Sequence, residues 1–185
     1  MLGSGSLGLV YLPGPTRRLT REEIDDRYPD LIPGLRGHEG IGFVLVRSSE
    51  HGAIALGRNG HRLLDRASDE AGAVVGEDPL EPFGPGAAAK VARVDRYPHV
   101  ADLMINARYE PETEEIYAFE HQVGSHGGLG GPQTRPFLLR PDGLPPPSRP
   151  IEGAVGVHDV LKGWLVALGQ PVRTGDVAPH DDARR

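Results

Sequence analysis

The sequence predicts an α/β fold from three observations. First, Gly42-Phe43-Val44-Leu45-Val46-Arg47 is a continuous apolar run, the pattern of a central strand covered on both faces. Second, Thr20-Arg21-Glu22-Glu23 is a capping box, with a threonine N-cap and a glutamate three residues on, so a helix should run from Arg21 to about Tyr28. Third, Val157, Leu161, Trp164, Leu165 and Leu168 recur at helical spacing, which places a closing helix over Val155–Leu168.

The other elements follow from their punctuation. Gly3-Ser4-Gly5-Ser6 leads into Leu7–Leu12, a short buried strand stopped by Pro13-Gly14-Pro15. A core-type strand so near the first residue points to sequence that once preceded it. Pro29 ends the first helix, and Asp30–Arg36 forms a second short turn. Glu50-His51-Gly52 and Arg58-Asn59-Gly60-His61 read as hairpin turns. They join Gly42–Arg47, Ala53–Leu56, Arg62–Leu64 and Ala73–Val75 into a small antiparallel meander over about 42–75, inserted in the larger domain. Ala87–Val94 is a short helix, Leu103–Ala107 another core strand, and Ile116–Phe119 and Thr134–Leu139 strand-like runs. Asp142–Pro150 is an extended linker, Gly169 stops the last helix, and residues 170–185 form a polar tail after a domain spanning 1–169.

Composition removes several function classes. The 26 glycines and 18 prolines among 185 residues are about twice the average share, so turns and short elements should dominate. Net charge is −6, and no Lys/Arg-rich run precedes Arg184-Arg185, so there is no nucleic-acid-binding footprint. The absence of cysteine excludes disulfides, thiolate metal sites and cysteine nucleophiles. No apolar run is long enough for a membrane span, and Met1–Leu12 lacks the layout of a signal peptide, so a cytoplasmic chain is expected.

Chemistry concentrates in Gly124-Ser125-His126-Gly127-Gly128-Leu129-Gly130-Gly131-Pro132-Gln133. Such glycine density marks backbone that turns sharply or approaches a ligand closely, and His126 at its centre can point into a cleft. The alternative is a flexible surface loop with an incidental histidine. There is no phosphate loop of the Gly-x-x-x-x-Gly-Lys type and no Gly-x-Ser-x-Gly elbow, and no triad partner can be named for Ser125. His99 with Asp102 is a weaker pair, while His51, His61 and His158 read as surface residues. An imidazole is a common zinc ligand, but it normally needs two or three companions.

The runs Gly5–Tyr11, Gly42–Ser48, Pro98–Asp102 and Gly124–Pro136 resemble the C-terminal part of bacterial alkaline-phosphatase-like proteins. The resemblance is to the actinobacterial group with a phage-holin-like membrane segment ahead of the domain, some of them labelled type I phosphodiesterase/nucleotide pyrophosphatase. It spans roughly Gly3 to Leu168. It implies an alkaline-phosphatase-like sheet-and-helix domain, hydrolysis of phosphate mono- or diesters, and a divalent metal, usually zinc. It also implies membrane attachment of intact members through their N-terminal segment. His126 matches the family's late metal-binding histidine. The family's nucleophile and its Asp-His-Gly pair would lie upstream of Leu7, and Asp-His-Gly occurs nowhere in the chain. The resemblance thus implies a shortened member that is inactive alone and whose partner is the upstream half of the domain. Two other readings stand beside it: a non-catalytic binding or scaffold module acting with a partner chain, and a single-site metal binder using His121 and His126.

Overall fold

The computed structural model describes residues 2–64, 73–121, 123–124 and 126–172, which fall into two compact units, 1–136 and 137–185. The first unit is built on a seven-stranded sheet, and every strand pairing in it is antiparallel. Its strands are β1 (Leu2–Ser4), β2 (Leu7–Val10), β3 (Ile41–Ser48), β4 (Gly52–Leu56), β5 (Gly60–Leu63), β6 (Val74–Gly76) and β7 (Leu103–Ala107), in the spatial order β1-β2-β7-β3-β4-β5-β6. The fold is thus mixed α/β. The meander expected as an insertion is instead continuous with the main sheet, because β7 pairs with the free edge of β3 (Val44 opposite Ile105, Leu45 opposite Met104). Residues 65–72, within that meander, lie outside the described residues.

Strand β3 is central, as its apolar run requires. Phe43, Val44, Leu45 and Val46 are all fully buried, and the two-residue period of a strand divides them between two cores. Phe43 and Leu45 join Ala53, Ala55 and Met104 on one face, beneath Leu80 and the helix α3 (Ala87–Asp95), which contributes Ala87 and Val91. Val44 and Val46 join Ile54, Leu56 and Leu103 on the other face. Leu19, the helix α1 (Arg21–Arg27) through Ile24, and the helix α2 (Leu31–Gly37) through Ile32 cover that face. Each large side chain so buried contributes about 1.5–3 kcal/mol.

The capping box at α1 forms in full, with Glu23 N–H donating to Thr20 Oγ1 and Thr20 N–H to the Glu23 carboxylate at 2.9 Å. Three other expectations are corrected, and one strand has no counterpart in the sequence reading. The Gly-Ser lead-in is β1, which turns through Gly5 at φ 60° and pairs with β2. Strand β2 ends at Val10 rather than Leu12, because the Leu12 amide is taken by Asp102 Oδ2 at 2.7 Å. Only Glu115–Ile116 of the region around 116–119 is a strand (β9), in a two-residue ladder with β8 (Tyr109–Glu110). Thr134–Leu139 is not a strand: Thr134 closes a 3-10 turn, Pro136 removes a donor, and Phe137 and Leu139 are exposed.

The second unit contains α4 (Gly153–Ala167), followed by Gly169 as expected. Trp164 is buried and donates from Nε1 to the Pro145 carbonyl at 2.9 Å, tying the proline-rich segment to the helix. Leu161, Leu165 and Leu168, expected on a covered face, are exposed. Residues 173–185, most of the expected tail, lie outside the described residues. No helix among the described residues is long and apolar enough to cross a membrane.

Two carboxylates tie the helices to the sheet. Asp102, just before β7, accepts from the amides of Leu12 and Leu19 at 2.7 and 2.6 Å and so fixes the chain between β2 and α1. Asp102→Asn keeps one acceptor and turns an NH₂ toward a buried amide; the expected loss is about 1–3 kcal/mol, measured by urea unfolding. At Glu22, burial acts to raise the carboxyl, but hydrogen bonds from Ser48 Oγ and from the amide and hydroxyl of Ser49 outweigh it and hold the pKa at about 2. A depressed carboxyl stabilises the fold above its unfolded value of 4.5, and that contribution disappears as pH falls toward 2. Glu22→Gln should therefore flatten the acid limb of a stability–pH curve over that window; an unchanged limb would refute the role.

Candidate functional site

The glycine-rich loop is tied down through its backbone. Ser6, fully buried at the start of β2, donates from its amide (2.8 Å) and from Oγ (3.0 Å) to the His126 carbonyl. Ser6 Oγ in turn accepts from the Gly128 amide at 3.0 Å and from Gln133 Nε2 at 3.4 Å. Asn106, near the end of β7 and 1% exposed, accepts from the Leu129 amide at 2.7 Å through Oδ1. Its Nδ2 donates to the carbonyls of Leu129 (3.3 Å) and Ala107 (2.9 Å). Leu129 itself packs against the Phe43 core.

The glycines follow from this closeness. A Cβ on Gly128 would lie 2.7 Å from both Asn106 Oδ1 and Ser6 Oγ, so a side chain and the two anchoring bonds cannot coexist there. Gly5 combines φ 60° with direct apposition to the His126 backbone. His126–Leu129 is therefore a backbone latch spanning the β1–β2 turn and β7.

The fold uses the His126 carbonyl and leaves the residue exposed. His121 is also exposed, and Ser125 lies outside the described residues. Among the described residues no group of three or more His, Asp and Glu is placed to hold a metal ion. A single imidazole does not hold a catalytic zinc, so a resident metal does not fit the described residues by themselves.

The other candidates are separated or committed elsewhere. Both oxygens of Asp102 serve backbone amides, while His99 is exposed and its carbonyl accepts from Tyr11 Oη at 3.3 Å. His51 stands 3.8 Å from Glu50 in its turn, and His158 lies 3.4 Å from Asp159. His61 lies on β5; burial first, and then Arg21, Arg36 and His51, push its pKa down. The residues that build the latch, Ser6 and Asn106, were not singled out from the sequence. Asn106 did carry a signal, as a lone amide inside Leu103-Met104-Ile105-Asn106-Ala107, where a buried polar group must find partners.

Comparison with family models, with curated proteins and with solved structures finds no match to this chain.

Gly128→Ala should release the latch, costing about 1–3 kcal/mol in thermal or urea unfolding and speeding exchange of the Leu129 amide. Retention of wild-type stability and exchange would show that the latch does not bear on the fold.

Proposed function

We propose that this chain contributes His126 as one metal ligand to a phosphate-ester hydrolase, the nucleophile and the remaining ligands coming from a separate segment or partner chain. Zinc and phosphate mono- or diesters are the metal and substrate class of this reading. One observation supports it: the loop spends its backbone on a rigid attachment to Ser6 and Asn106 while His126 stays exposed. A ligand held on fixed backbone is pre-ordered, which lowers the entropy cost when the other half of a site arrives. Alone, one imidazole binds weakly and activates no water.

The test is a zinc titration of the isolated chain followed by imidazole NMR, with the exposed His51, His121 and His158 as internal references. His126 should respond first, with an affinity on the order of millimolar, and His126→Ala should remove that response. Hydrolysis of bis(p-nitrophenyl) phosphate by the zinc-supplemented chain alone would overturn the division of ligands. A His126 response no earlier than the reference histidines would overturn its role.

The second reading, a non-catalytic module acting with a partner chain, is favoured by α4. Trp164 is its one buried residue among those described, whereas Leu161, Leu165, Val166 and Leu168 are exposed on a helix rich in apolar residues.

A further inference from the structure

The sequence contains two asparagines, and the fold treats them in opposite ways. Asn106 is buried, with Oδ1 accepting from the Leu129 amide and Nδ2 donating to the carbonyls of Leu129 and Ala107. Asn59 is exposed in the connection between β4 and β5, and the residue after it is Gly60. Its Nδ2 donates to Glu77 Oε2 at 3.0 Å, the only bond of that side chain among the described residues. Its carbonyl accepts from the Glu77 amide at 3.4 Å, just past β6. Glu77 pairs with no cation among the described residues.

An asparagine carboxamide is an electrophile for the next backbone nitrogen. A side chain on the following residue shields that nitrogen and restricts the backbone, and glycine removes both obstacles. The local bonding also keeps the Gly60 nitrogen available. In a tight turn it would donate to the Gly57 carbonyl, but that oxygen is taken by Arg36 Nε at 2.6 Å. Among the described residues, the bond that closes this turn runs the other way, from the Gly57 amide to the Gly60 carbonyl at 2.9 Å.

We infer that Asn59 is a site of spontaneous deamidation whose product loosens β6 from β5. The Gly60 nitrogen attacks Cγ of Asn59, and the new N–C bond closes a cyclic imide. The Cγ–Nδ2 bond breaks, and ammonia leaves with the proton that the Gly60 nitrogen gave up. Water then opens the imide at either carbonyl, giving aspartate or isoaspartate at position 59. Each product carries a carboxylate where a neutral amide donated to Glu77. The bond is lost and two like charges face each other, which is destabilising between neighbouring strands. Isoaspartate also adds a methylene to the main chain, displacing the carbonyl that accepts from the Glu77 amide. The reaction needs no metal or partner and is independent of the role proposed for His126.

The experiment incubates the full chain at mildly alkaline pH and maps its peptides by mass spectrometry. Asn59 should convert to a mixture of aspartate and isoaspartate, faster as pH rises, while Asn106 stays intact. Asn59→Gln should stop the conversion, because its carboxamide lies one carbon further from the main chain. Persistence of Asn59 in the folded chain would overturn the inference; conversion in urea alone would show that the fold protects the site. Asn59→Asp reproduces one product. In it, hydrogen exchange of the Glu77 amide should speed up roughly threefold or more, and adding Glu77→Gln should restore the slower rate. Unchanged exchange in Asn59→Asp would overturn the loosening of β6, and failure of Glu77→Gln to restore it would overturn charge repulsion as the cause.

Discussion

Everything in the first unit depends on β3 being buried on both faces. A strand alternates its side chains, so Phe43 and Leu45 demand a cover on one side and Val44 and Val46 demand another on the opposite side. The chain meets the demand by sending α1 and α2 to one face and α3 to the other. The same alternation places Arg47 on the α3 face, where it meets Asp95. Packing and charge thus fix α3 together, and neither would place that helix as firmly alone. Removing one member of such a buried pair leaves an uncompensated charge, which is more harmful than never having had the pair.

The ends of β2 and β7 are closed by polar groups rather than by apolar packing. Ser6 and Asn106 fasten the glycine loop at one end, and Asp102 fastens the segment leading into α1 at the other. Apolar contacts tolerate small slips, whereas amide-to-oxygen bonds near 2.7 Å in a buried setting do not. Both ends are therefore positioned more exactly than loop composition would suggest. This is why an exposed His126 on that loop differs from an exposed histidine in a hairpin turn such as His51.

Local signals carried much of the fold. The capping box, the Gly42–Arg47 run and the turn residues around His51 and Asn59 each depend on neighbours within a few positions, so the helix α1, the central strand and the meander were legible. What failed depended on distant partners. Thr134–Leu139 has a strand-like composition but no neighbouring strand to pair with. Gly3-Ser4 has a linker composition but sits opposite Leu7 and Gly8 in a ladder. The latch joins residues about 120 positions apart, and the Arg18–Asp95–Arg47 cluster joins three elements; no window of sequence contains either. The glycine run itself was legible as a place of close approach. That the approach is to the chain's own backbone is a fact of tertiary structure.

At the C-terminal end of α3, charge and burial are balanced together. The enclosed Asp95 carboxylate pairs through one oxygen with Arg18 and through the other with Arg47. It neutralises charge that would otherwise forbid burying most of the Arg18 side chain, and through Arg47 it fastens the end of α3 to β3. The ion cluster therefore holds together the segment before α1, the central strand and α3, three parts of the chain that no local sequence signal connects.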